Sequence, residues 1–478
     1  MIMSGADNFQ ERLAAMERVQ PQGVEGRVAG LTGLTVEACG LAAPAGAQGE
    51  ILTRGGRAVP AEIIGFREDV SVLMPLGEMG GIARGDRVRC LGLEASVPVG
   101  GELLGRVVNG RGEPIDGKGP LLCQVRRGVE SRRIEPLRRT RIDAPLGTGI
   151  RAIDALCTCG RGQRMGIFSG PGVGKSILLG MVSRYTSADV SVIGLVGERG
   201  REVREFLEKD LGPEGLSRSV VIASTSDEPA PVRVQAAFLA ATVAEFFRDQ
   251  GLDVLLLMDS ITRVALAQRQ IGLAMGEPPA TKGFTPSMYA LLPRLVERAG
   301  KTERGSITGF YTVLVEGDDL SEPVADTMRG LLDGHLWLAR NLANRGHYPA
   351  IDILESISRV MPDVTSEEHQ RRARQVVRLA AVYRDIEDLV NIGAYAPGTS
   401  AELDLAVQAQ PTINEFLQQG IREKVSFEQA VQALKDLTES LRLLESGTGR
   451  GKAGVSAPAP AAKGRPMPLG LERMMAGL

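Results

Sequence analysis

The stretch IFSGPGVGKS, residues 167 to 176, decides the fold class of this chain. It nearly matches the pattern G-x-x-x-x-G-K-[ST], in which backbone N–H groups turn towards phosphate oxygens and a lysine adds a fixed positive charge. The apolar run MGIF enters the loop and the helix-forming run SILLGMV leaves it, as the pattern requires. Ser169 replaces the first glycine, and Gly170 can supply the backbone freedom that serine lacks. The stretch therefore predicts a phosphate-binding loop between a strand and a helix.

Strand-like and helical runs alternate around this loop, from about residue 145 to 340. The helical runs include SILLGMVSRY and VQAAFLAATVAEFFRDQ, and candidate strands lie at 164–169, 190–196, 219–223, 253–258 and 307–314. Such alternation is typical of an α/β domain with a mainly parallel sheet.

Further units are predicted on both sides of this domain. Short glycine-punctuated runs from Val24 to about residue 97 predict a small closed β-barrel, and the glycine-rich stretch 105–120 predicts a connector. Helical patterns at 366–390, 414–421 and 426–444 predict a C-terminal helical domain. At the two ends, residues 8–18 predict an amphipathic helix, and the Gly, Ala, Ser and Pro residues of 446–478 predict a disordered tail.

Composition argues against several classes of protein. The chain has 478 residues, and its 56 basic and 58 acidic residues give a net charge of −2, so no bulk electrostatic attraction to nucleic acid is expected. No apolar run approaches about 18 residues and the N-terminus lacks the signal-peptide pattern, which predicts a soluble cytoplasmic chain. Five scattered cysteines predict a reducing compartment, and the pair Cys157 and Cys159 does not predict a metal site.

Two carboxylates follow strands at the edge where the phosphate loop is expected. Asp259 ends the apolar run DVLLLMD, where a carboxylate can hold magnesium through water. Glu198, in LVGERGREV, ends a second strand-like run and can polarise an attacking water. The alternatives are a helix-capping role for Asp259 and ordinary surface ion pairs for Glu198.

A longer series of segments resembles the ATPases of flagellar and virulence type III protein export, which are relatives of the catalytic subunits of rotary ATP synthases. The segments follow one another between about residues 20 and 440: RMGIFSGPGVGKSILLGMVSRYT, GLVGERGREVREF, LLLMDSITRVALAQRQIGLAMGEPPATKGF, LVERAG, ITGFYTVLVEGDDLSEPVAD and HYPAIDILESISRVM. In that family a small residue often stands where Ser169 does. The resemblance implies an α/β fold: a RecA-like P-loop nucleotide domain at 98–365, with an N-terminal helix at 1–23, a small β-barrel at 24–97, a C-terminal α-helical domain at 366–445 and a tail at 446–478.

The resemblance also implies roles for individual residues. The implied catalytic residues are Lys175, Glu198, Arg199, Arg263 and Arg359. Of these, Arg359 would reach into the neighbouring subunit's site. Nucleotide contacts fall on Gly170, Pro171, Gly172, Val173, Gly174, Lys175, Ser176, Ile177 and Tyr348, with Tyr348 packing on adenine. The implied magnesium-binding residues are Ser176, Asp259 and Glu202. A helix cap for Arg359 and a core position for Tyr348 are the ordinary alternatives.

The activity that the resemblance implies is Mg-dependent ATP hydrolysis by a homohexamer that drives export of flagellar proteins, with ATP and Mg²⁺ as ligands. Implied partners are a central stalk protein at 276–284, a dimeric stator-like regulatory protein at the N-terminal helix, export gate membrane proteins, export substrates and their chaperones, and no nucleic acid. The implied location is the cytoplasm, peripherally at the inner face of the bacterial cytoplasmic membrane.

Four other functions are weighed against this one: a virulence export ATPase, an ATP synthase catalytic subunit, a non-catalytic nucleotide-holding subunit and a ring-shaped RNA translocase. A non-catalytic relative would usually lack the carboxylate that Glu198 supplies. An RNA translocase would need an aromatic and basic platform, whereas residues 1–110 contain only Phe9 and Phe66 as aromatics.

Overall fold

The computed structural model describes residues 24–92, 96–129, 134–315, 317 and 322–449. The helix predicted at 8–18 lies outside these residues, and so does the tail predicted at 446–478 from residue 450 onward. Residues 446–449 belong to the last described helix, so the prediction of disorder was wrong for them. The described chain begins with β1 (Glu25–Thr32), β2 (Thr35–Cys39), β3 (Gln48–Leu52), β4 (Ala58–Arg67), β5 (Val70–Pro75) and β6 (Arg87–Gly92). These strands close into an antiparallel barrel in the order β1-β2-β5-β4-β3-β6.

The barrel closes because its strands alternate apolar and polar residues with a period of two. In β3 and β4, buried Ile51, Val59 and Ile63 alternate with more exposed side chains. The inward-facing residues form a hydrophobic core that belongs to the barrel alone. The predicted N-terminal β-barrel is therefore confirmed.

The chain continues into a sheet-forming region with strands β7 (Ser96–Val99), β8 (Arg106–Asn109), β9 (Val125–Gly128), β10 (Pro145–Leu146), β11 (Cys159–Gly160), β12 (Arg164–Ser169), β13 (Val190–Glu198), β14 (Ser219–Thr225), β15 (Asp253–Asp259), β16 (Gly300–Lys301), β17 (Ser306–Leu314), β18 (Gly334–Leu338) and β19 (Ile351–Ser358). The large sheet has the order β19-β18-β12-β17-β15-β13-β14-β8, with β16 paired to β17. Neighbours in that order are parallel except β18 and β19. The five strands predicted from the sequence are all in this sheet, so the α/β class is confirmed.

Helices cover both faces of the sheet, so its central strands are continuous apolar runs. β13, for example, is buried at every position. The helices are α1 (Arg151–Leu156), α2 (Lys175–Tyr185), α3 (Gly200–Glu205), α4 (Gly212–Ser217), α5 (Ala230–Asp249), α6 (Ile261–Met275), α7 (Pro286–Val296), α8 (Pro323–Leu331), α9 (Arg340–Asn344) and α10 (Met361–Val364). In the described chain α5 alone has the length and apolar composition of a membrane span, but 72% of that stretch is buried within the protein.

The glycine-rich stretch 105–120 was predicted as a connector only, and that prediction was wrong in part. Residues 106–109 form β8, the edge strand of the large sheet, which pairs with β14 through Val107 and Val221. The rest of the stretch turns back on β8, where Asp116 accepts hydrogen bonds from Arg106 Nε at 2.7 Å and from Val107 N at 3.0 Å. The strand is short and bordered by glycines, so its own apolar pattern is weak.

The C-terminal unit is helical, as predicted, with α11 (Glu367–Asn391), α12 (Ala401–Leu417) and α13 (Phe427–Gly449). The helix predicted at 414–421 has different bounds, because it begins at Ala401, continues through Pro411 and ends at Leu417. An apolar stripe that includes Ala406, Ala409 and Ile413 is buried along it, and this packing outweighs the local cost of proline. The same hydrophobic core includes residues of the large sheet, so the two units are packed into one body.

Candidate active site

The phosphate loop lies between β12 and α2, where the motif requires it. Ser169 is the last residue of β12 and pairs with Leu314 and Leu338, so its backbone is extended. The left-handed φ angles of the loop, 78° and 87°, are at Gly172 and Gly174. An extended residue needs no glycine, and the loss of the first motif glycine therefore requires no compensation from Gly170.

The loop opens into a cleft of about 1280 Å³ between the nucleotide domain and the C-terminal helices. Most of the residues predicted to contact nucleotide line this cleft, but Val173 turns its side chain into the core and is only 2% exposed. The lining residues from the predicted set are Gly170, Pro171, Gly172, Gly174, Lys175, Ser176, Ile177, Glu198, Glu202, Arg263 and Tyr348.

Lys175 lies between two carboxylates at the carboxyl edge of the sheet. Its ammonium forms an ion pair with Asp259 and lies 3.5 Å from Glu198 Oε1. Asp259 is 4% exposed, and its Oδ1 also accepts a hydrogen bond from the Thr312 hydroxyl at 2.7 Å. Thr312 was not predicted, because it lies inside β17 and no motif marks it. The parallel strands β12, β13 and β15 thus bring together groups that are far apart in sequence.

Arg263 holds the Glu198 carboxylate and the backbone next to it in position. Gly197 has a φ of 75°, and a Cβ atom there would lie 2.8 Å from Arg263 Cδ, so this position requires glycine. Arg263 donates to the Gly197 carbonyl at 2.5 Å and to Glu198 Oε2 at 3.4 Å. The first-turn position of Arg263 on α6 therefore fixes one oxygen of the Glu198 carboxylate.

The pKa of Glu198 is raised from its ordinary value towards neutral pH. Burial, together with a hydrogen bond to Glu202, raises the pKa of Glu198 to about 7 against the opposing charge of Lys175. The same hydrogen bond with Glu198 lowers the pKa of Glu202. Of these two neighbouring carboxylates, the more buried Glu198 is therefore protonated more readily. A carboxylate that titrates near pH 7 is suited to accept a proton from water.

The oxygen ligands at this edge fit a magnesium ion bound together with phosphates. Ser176 lines the cleft and Asp259 lies beside Lys175. Glu198 Oε1 is buried and accepts no hydrogen bond from any described residue. Across the described ranges no three His, Cys, Asp or Glu residues form a metal-binding group. Because Mg²⁺ is usually held by one or two protein oxygens, substrate phosphates and water, this small donor set is what such a site requires.

The far end of the cleft is lined by the predicted Tyr348 and, opposite it, by residues that the sequence did not predict. Tyr348 lies close to the loop, since a Cβ on Gly174 would be 3.3 Å from its Cε1 atom. Opposite, α12 and the turn after it contribute Pro411, Asn414, Glu415, Gln418, Gln419, Gly420 and Ile421. No local pattern identifies these residues as site residues, because only the packing of the helical unit brings them to the cleft.

Two predicted catalytic residues are not part of this cleft. Arg199 is exposed at the start of α3, and its backbone N–H donates to Glu202 Oε2 at 3.3 Å. Arg359 is exposed just after β19, where its N–H donates to the Asp333 carbonyl at 2.9 Å. Because β19 is antiparallel to β18, Arg359 lies at the amino edge of the sheet, opposite Lys175. It therefore cannot serve the phosphate loop of its own chain.

Comparison with known proteins matches two family models. The model described as ATP synthase alpha/beta family, nucleotide-binding domain, matches residues 149–358, and the model described as T3SS EscN ATPase C-terminal domain matches residues 365–436.

Among similar proteins, a flagellum-specific ATP synthase of Bacillus subtilis is 50% identical over 417 residues, covering 86% of this chain and 95% of that protein. A type 3 secretion system ATPase of Xanthomonas euvesicatoria is 48% identical over 415 residues, covering 87% of this chain and 94% of that one. The structure of the assembled ATPase EscN in complex with its central stalk EscO, from enteropathogenic E. coli, has 43% identity and a TM-score of 0.80, covering 86% of this chain and 99% of that one.

Proposed function

This chain belongs to the ATPase family of flagellar and type III protein export, and on that premise we propose that it hydrolyses Mg-ATP at the interfaces of a homohexamer to drive export of flagellar proteins. The observation that carries the proposal is the Glu198 site: a buried carboxylate with a pKa of about 7, placed between Lys175 and Arg263. A nucleotide-holding module without activity has no need for such a group. The virulence and ATP synthase alternatives are not favoured by any feature of the site.

The chemistry follows from the positions of the side chains. Gly172, Gly174 and the start of α2 direct backbone N–H groups to the phosphates, and the Lys175 ammonium neutralises their charge. Glu198 accepts the proton of the attacking water, while Arg263 holds the Glu198 carboxylate in place. Magnesium, held by Ser176 and Asp259 with Glu202 nearby, would supply further charge neutralisation when bound.

Arg359 supports the proposal of shared sites. An exposed arginine at the sheet edge remote from its own loop can stabilise transition-state charge only in another copy. The relative EscN is an assembled ATPase, which is consistent with sites formed between copies. Arg199 remains a predicted catalytic neighbour, and its side chain is exposed beside Glu202.

The partners follow from the same family membership. EscN binds a central stalk, EscO, and the segment at 276–284, whose residues 278–282 are exposed, is the proposed contact for a corresponding stalk here. A dimeric stator-like regulator at the N-terminal helix, export gate membrane proteins, chaperones and export substrates complete the proposed set. The proposed location is the cytoplasmic face of the membrane that carries the export apparatus.

The test is Mg-ATP hydrolysis measured as a function of protein concentration for the parent chain, Glu198→Gln, Arg359→Ala and a mixture of the two variants. Activity should rise with assembly and be lost in each variant. The mixture should recover up to about a quarter of the parental activity, the share of randomly formed heterologous interfaces that combine both intact groups. Arg374→Ala, which changes an exposed arginine on α11, is the control. Activity independent of concentration and of Arg359 would overturn the shared-site mechanism.

A further inference from the structure

A second cavity, of about 230 Å³, lies behind the nucleotide cleft. It lies between the segment 341–354 and the helices α11 and α12, and its lining includes His347, Gln410, Asn414 and Gln418. Asn414 and Gln418 also line the nucleotide cleft, so these two amides form the wall between the two spaces. His347 lines the second cavity and the next residue, Tyr348, lines the nucleotide cleft, so this segment also separates the two spaces.

The three amides repeat every four residues: Gln410 and Asn414 lie on α12, and Gln418 immediately follows its last residue. Side chains four residues apart lie on the same face of a helix, so Gln410 and Asn414 are neighbours on one face. Gln410 Nε2 donates to Asn414 Oδ1 at 3.0 Å. Gln418 Nε2 lies 3.5 Å from His347 Nδ1, so Gln418 and His347 form a second pair beside Gln410 and Asn414.

The protonation of His347 follows from its surroundings. The ring is 5% exposed, and burial lowers the pKa of His347, so the imidazole is neutral at physiological pH. The charged side chains around the cavity are paired with each other, Arg384 with Asp352 and Arg345 with Glu387. If Nδ1 accepts from Gln418, the single proton of the neutral ring is on Nε2.

Two buried atoms in this wall have no hydrogen-bond partner within the described residues. They are His347 Nε2 and Gln410 Oε1. The first is a donor and the second an acceptor, and both residues line the same polar cavity.

These two hydrogen bonds determine which amide atoms remain for the cleft. Asn414 uses its carbonyl oxygen towards Gln410, so its N–H₂ group is the free donor. With the His347 proton on Nε2, Gln418 uses its N–H₂ group towards His347, so its carbonyl oxygen is the free acceptor. A donor and an acceptor side by side complement the N1 acceptor and the N6 amino donor of adenine. Guanine and hypoxanthine present the opposite pair, an N1–H donor and an O6 acceptor.

We propose that Asn414 and Gln418 select adenine over guanine and hypoxanthine, and that His347 is the positioning residue that fixes their amide orientation. The proposal rests on the proposed binding of ATP in this cleft. A base packed on Tyr348 presents its edge to α12, because Pro411, Asn414 and Gln418 line the same cleft. Without His347 the Gln418 amide can rotate by half a turn and offer the opposite hydrogen-bonding pattern.

The experiment compares kcat/KM of the full-length chain for Mg-ATP, Mg-ITP and Mg-GTP. ITP has the guanine-like edge without the 2-amino group, so it separates reading of the edge from steric exclusion. We expect the parent chain to prefer ATP over ITP by at least about tenfold, mainly through KM, because base contacts are the same in the ground and transition states. His347→Leu should reduce the preference to within about threefold while kcat for ATP changes little. His347→Asn, which retains an acceptor near the Nδ1 position, should keep most of the preference.

His369→Leu is the matched control, because His369 is also buried and bonds the Ala155 carbonyl through Nε2 at 2.7 Å, away from the cleft. It should leave the ATP to ITP ratio unchanged. Should His347→Leu fail to fold, Gln410→Leu releases Asn414 from the other end and should produce the same loss. Equal use of ATP and ITP by the parent, or an equal loss on all three nucleotides in His347→Leu, would overturn the inference alone. No hydrolysis of any triphosphate would overturn the proposed function with it.

Discussion

Ser169 ends β12 with extended backbone, flanked by Leu314 and Leu338 on the two neighbouring strands. The residue is fully buried, and its hydroxyl has no hydrogen-bond partner in the described part of the chain. The left-handed turn of the loop begins later, at Gly172. At the residue scale, a departure from a motif is therefore harmless when the position has ordinary strand geometry.

Restoring the motif glycine should not improve this protein. Ser169→Gly is expected to lose roughly 0.5–1 kcal/mol of stability, because glycine in a strand loses more conformational freedom on folding. Its kcat/KM for ATP should not rise. Ser169→Ala, which removes only the unpartnered hydroxyl, is the control and should be at least as stable as the parent. Urea unfolding and steady-state kinetics measure both quantities, and a several-fold gain in kcat/KM for Ser169→Gly would contradict this account.

The pH dependence of hydrolysis should follow Glu198. A general base acts in its deprotonated form, and burial raises the pKa of Glu198 to about 7, so kcat/KM should fall as the pH falls below about 7. Glu198→Gln should lose activity by a factor on the order of 10²–10⁴ while it still binds nucleotide.

The variant Glu202→Ala tests whether the loss of kcat/KM at low pH comes from protonation of Glu198 or from a general effect of acid on the protein. The hydrogen bond with Glu202 raises the pKa of Glu198, so its removal should move the ascending limb of the profile to lower pH. A limb at the same pH in the parent and in Glu202→Ala would show that Glu198 is not the group that titrates.

At the element scale, edge strand β8 is held in place by hydrogen bonds rather than by a strong apolar pattern. Its residues do not carry a strong strand pattern, and the strand is held by a partner outside it, Asp116, which is bound by Arg106 and by backbone N–H groups. The Arg106 hydrogen bond holds the pKa of Asp116 well below its usual range. Hydrogen bonding to a buried carboxylate thus defines an element that hydrophobic periodicity does not.

Asp116→Asn is expected to lower the free energy of unfolding by about 1–3 kcal/mol, because it weakens bonds to a buried, charged acceptor. Since the folded-state pKa is depressed, this contribution is present above the unfolded value near 4 and is lost as the pH falls below it. The difference between parent and variant in urea midpoint should therefore narrow in acid. Glu113→Gln, an exposed change in the same turn, should have little effect, and a pH-independent difference for Asp116→Asn would contradict the electrostatic explanation.

At the scale of the whole molecule, the nucleotide sheet and the C-terminal helices share one core, whereas the barrel has its own. Gln419 joins the first two units with one side chain that is 5% exposed. It accepts from Arg151 N at 2.7 Å and donates to Gly149 O at 2.8 Å and Glu423 O at 2.9 Å. The position of the C-terminal helices beside the cleft therefore depends on the hydrogen bonds of Gln419 as well as on apolar packing.

Gln419→Ala should destabilise the chain by roughly 1–3 kcal/mol, because it leaves the buried Arg151 N–H and Gly149 carbonyl without partners. Thermal unfolding followed by circular dichroism should show a lower midpoint, and limited proteolysis should cut the C-terminal helices sooner. Gln432→Ala, an exposed glutamine on α13 that bonds Asp436, is the control. Equal behaviour of the two variants would mean that apolar packing alone holds the units together.

Much of the fold and part of the site can be predicted from the sequence. The strand that enters the phosphate loop, the helix that leaves it and the carboxylates that end β13 and β15 follow from local apolar periods and from motif spacing. The predicted cleft residues Lys175, Ser176, Glu198 and Arg263 lie near one another because parallel strands end at one edge.

Other features were decided only by the tertiary structure. The Thr312 bond to Asp259, the near-neutral pKa of Glu198 and the remote position of Arg359 depend on which strands are neighbours and on what excludes water. The amide wall of α12 depends on how the helical unit packs against the cleft. The physical reason is range: motifs and periodicity report the chain over a few residues, whereas burial and hydrogen bonding depend on side chains tens to hundreds of residues apart.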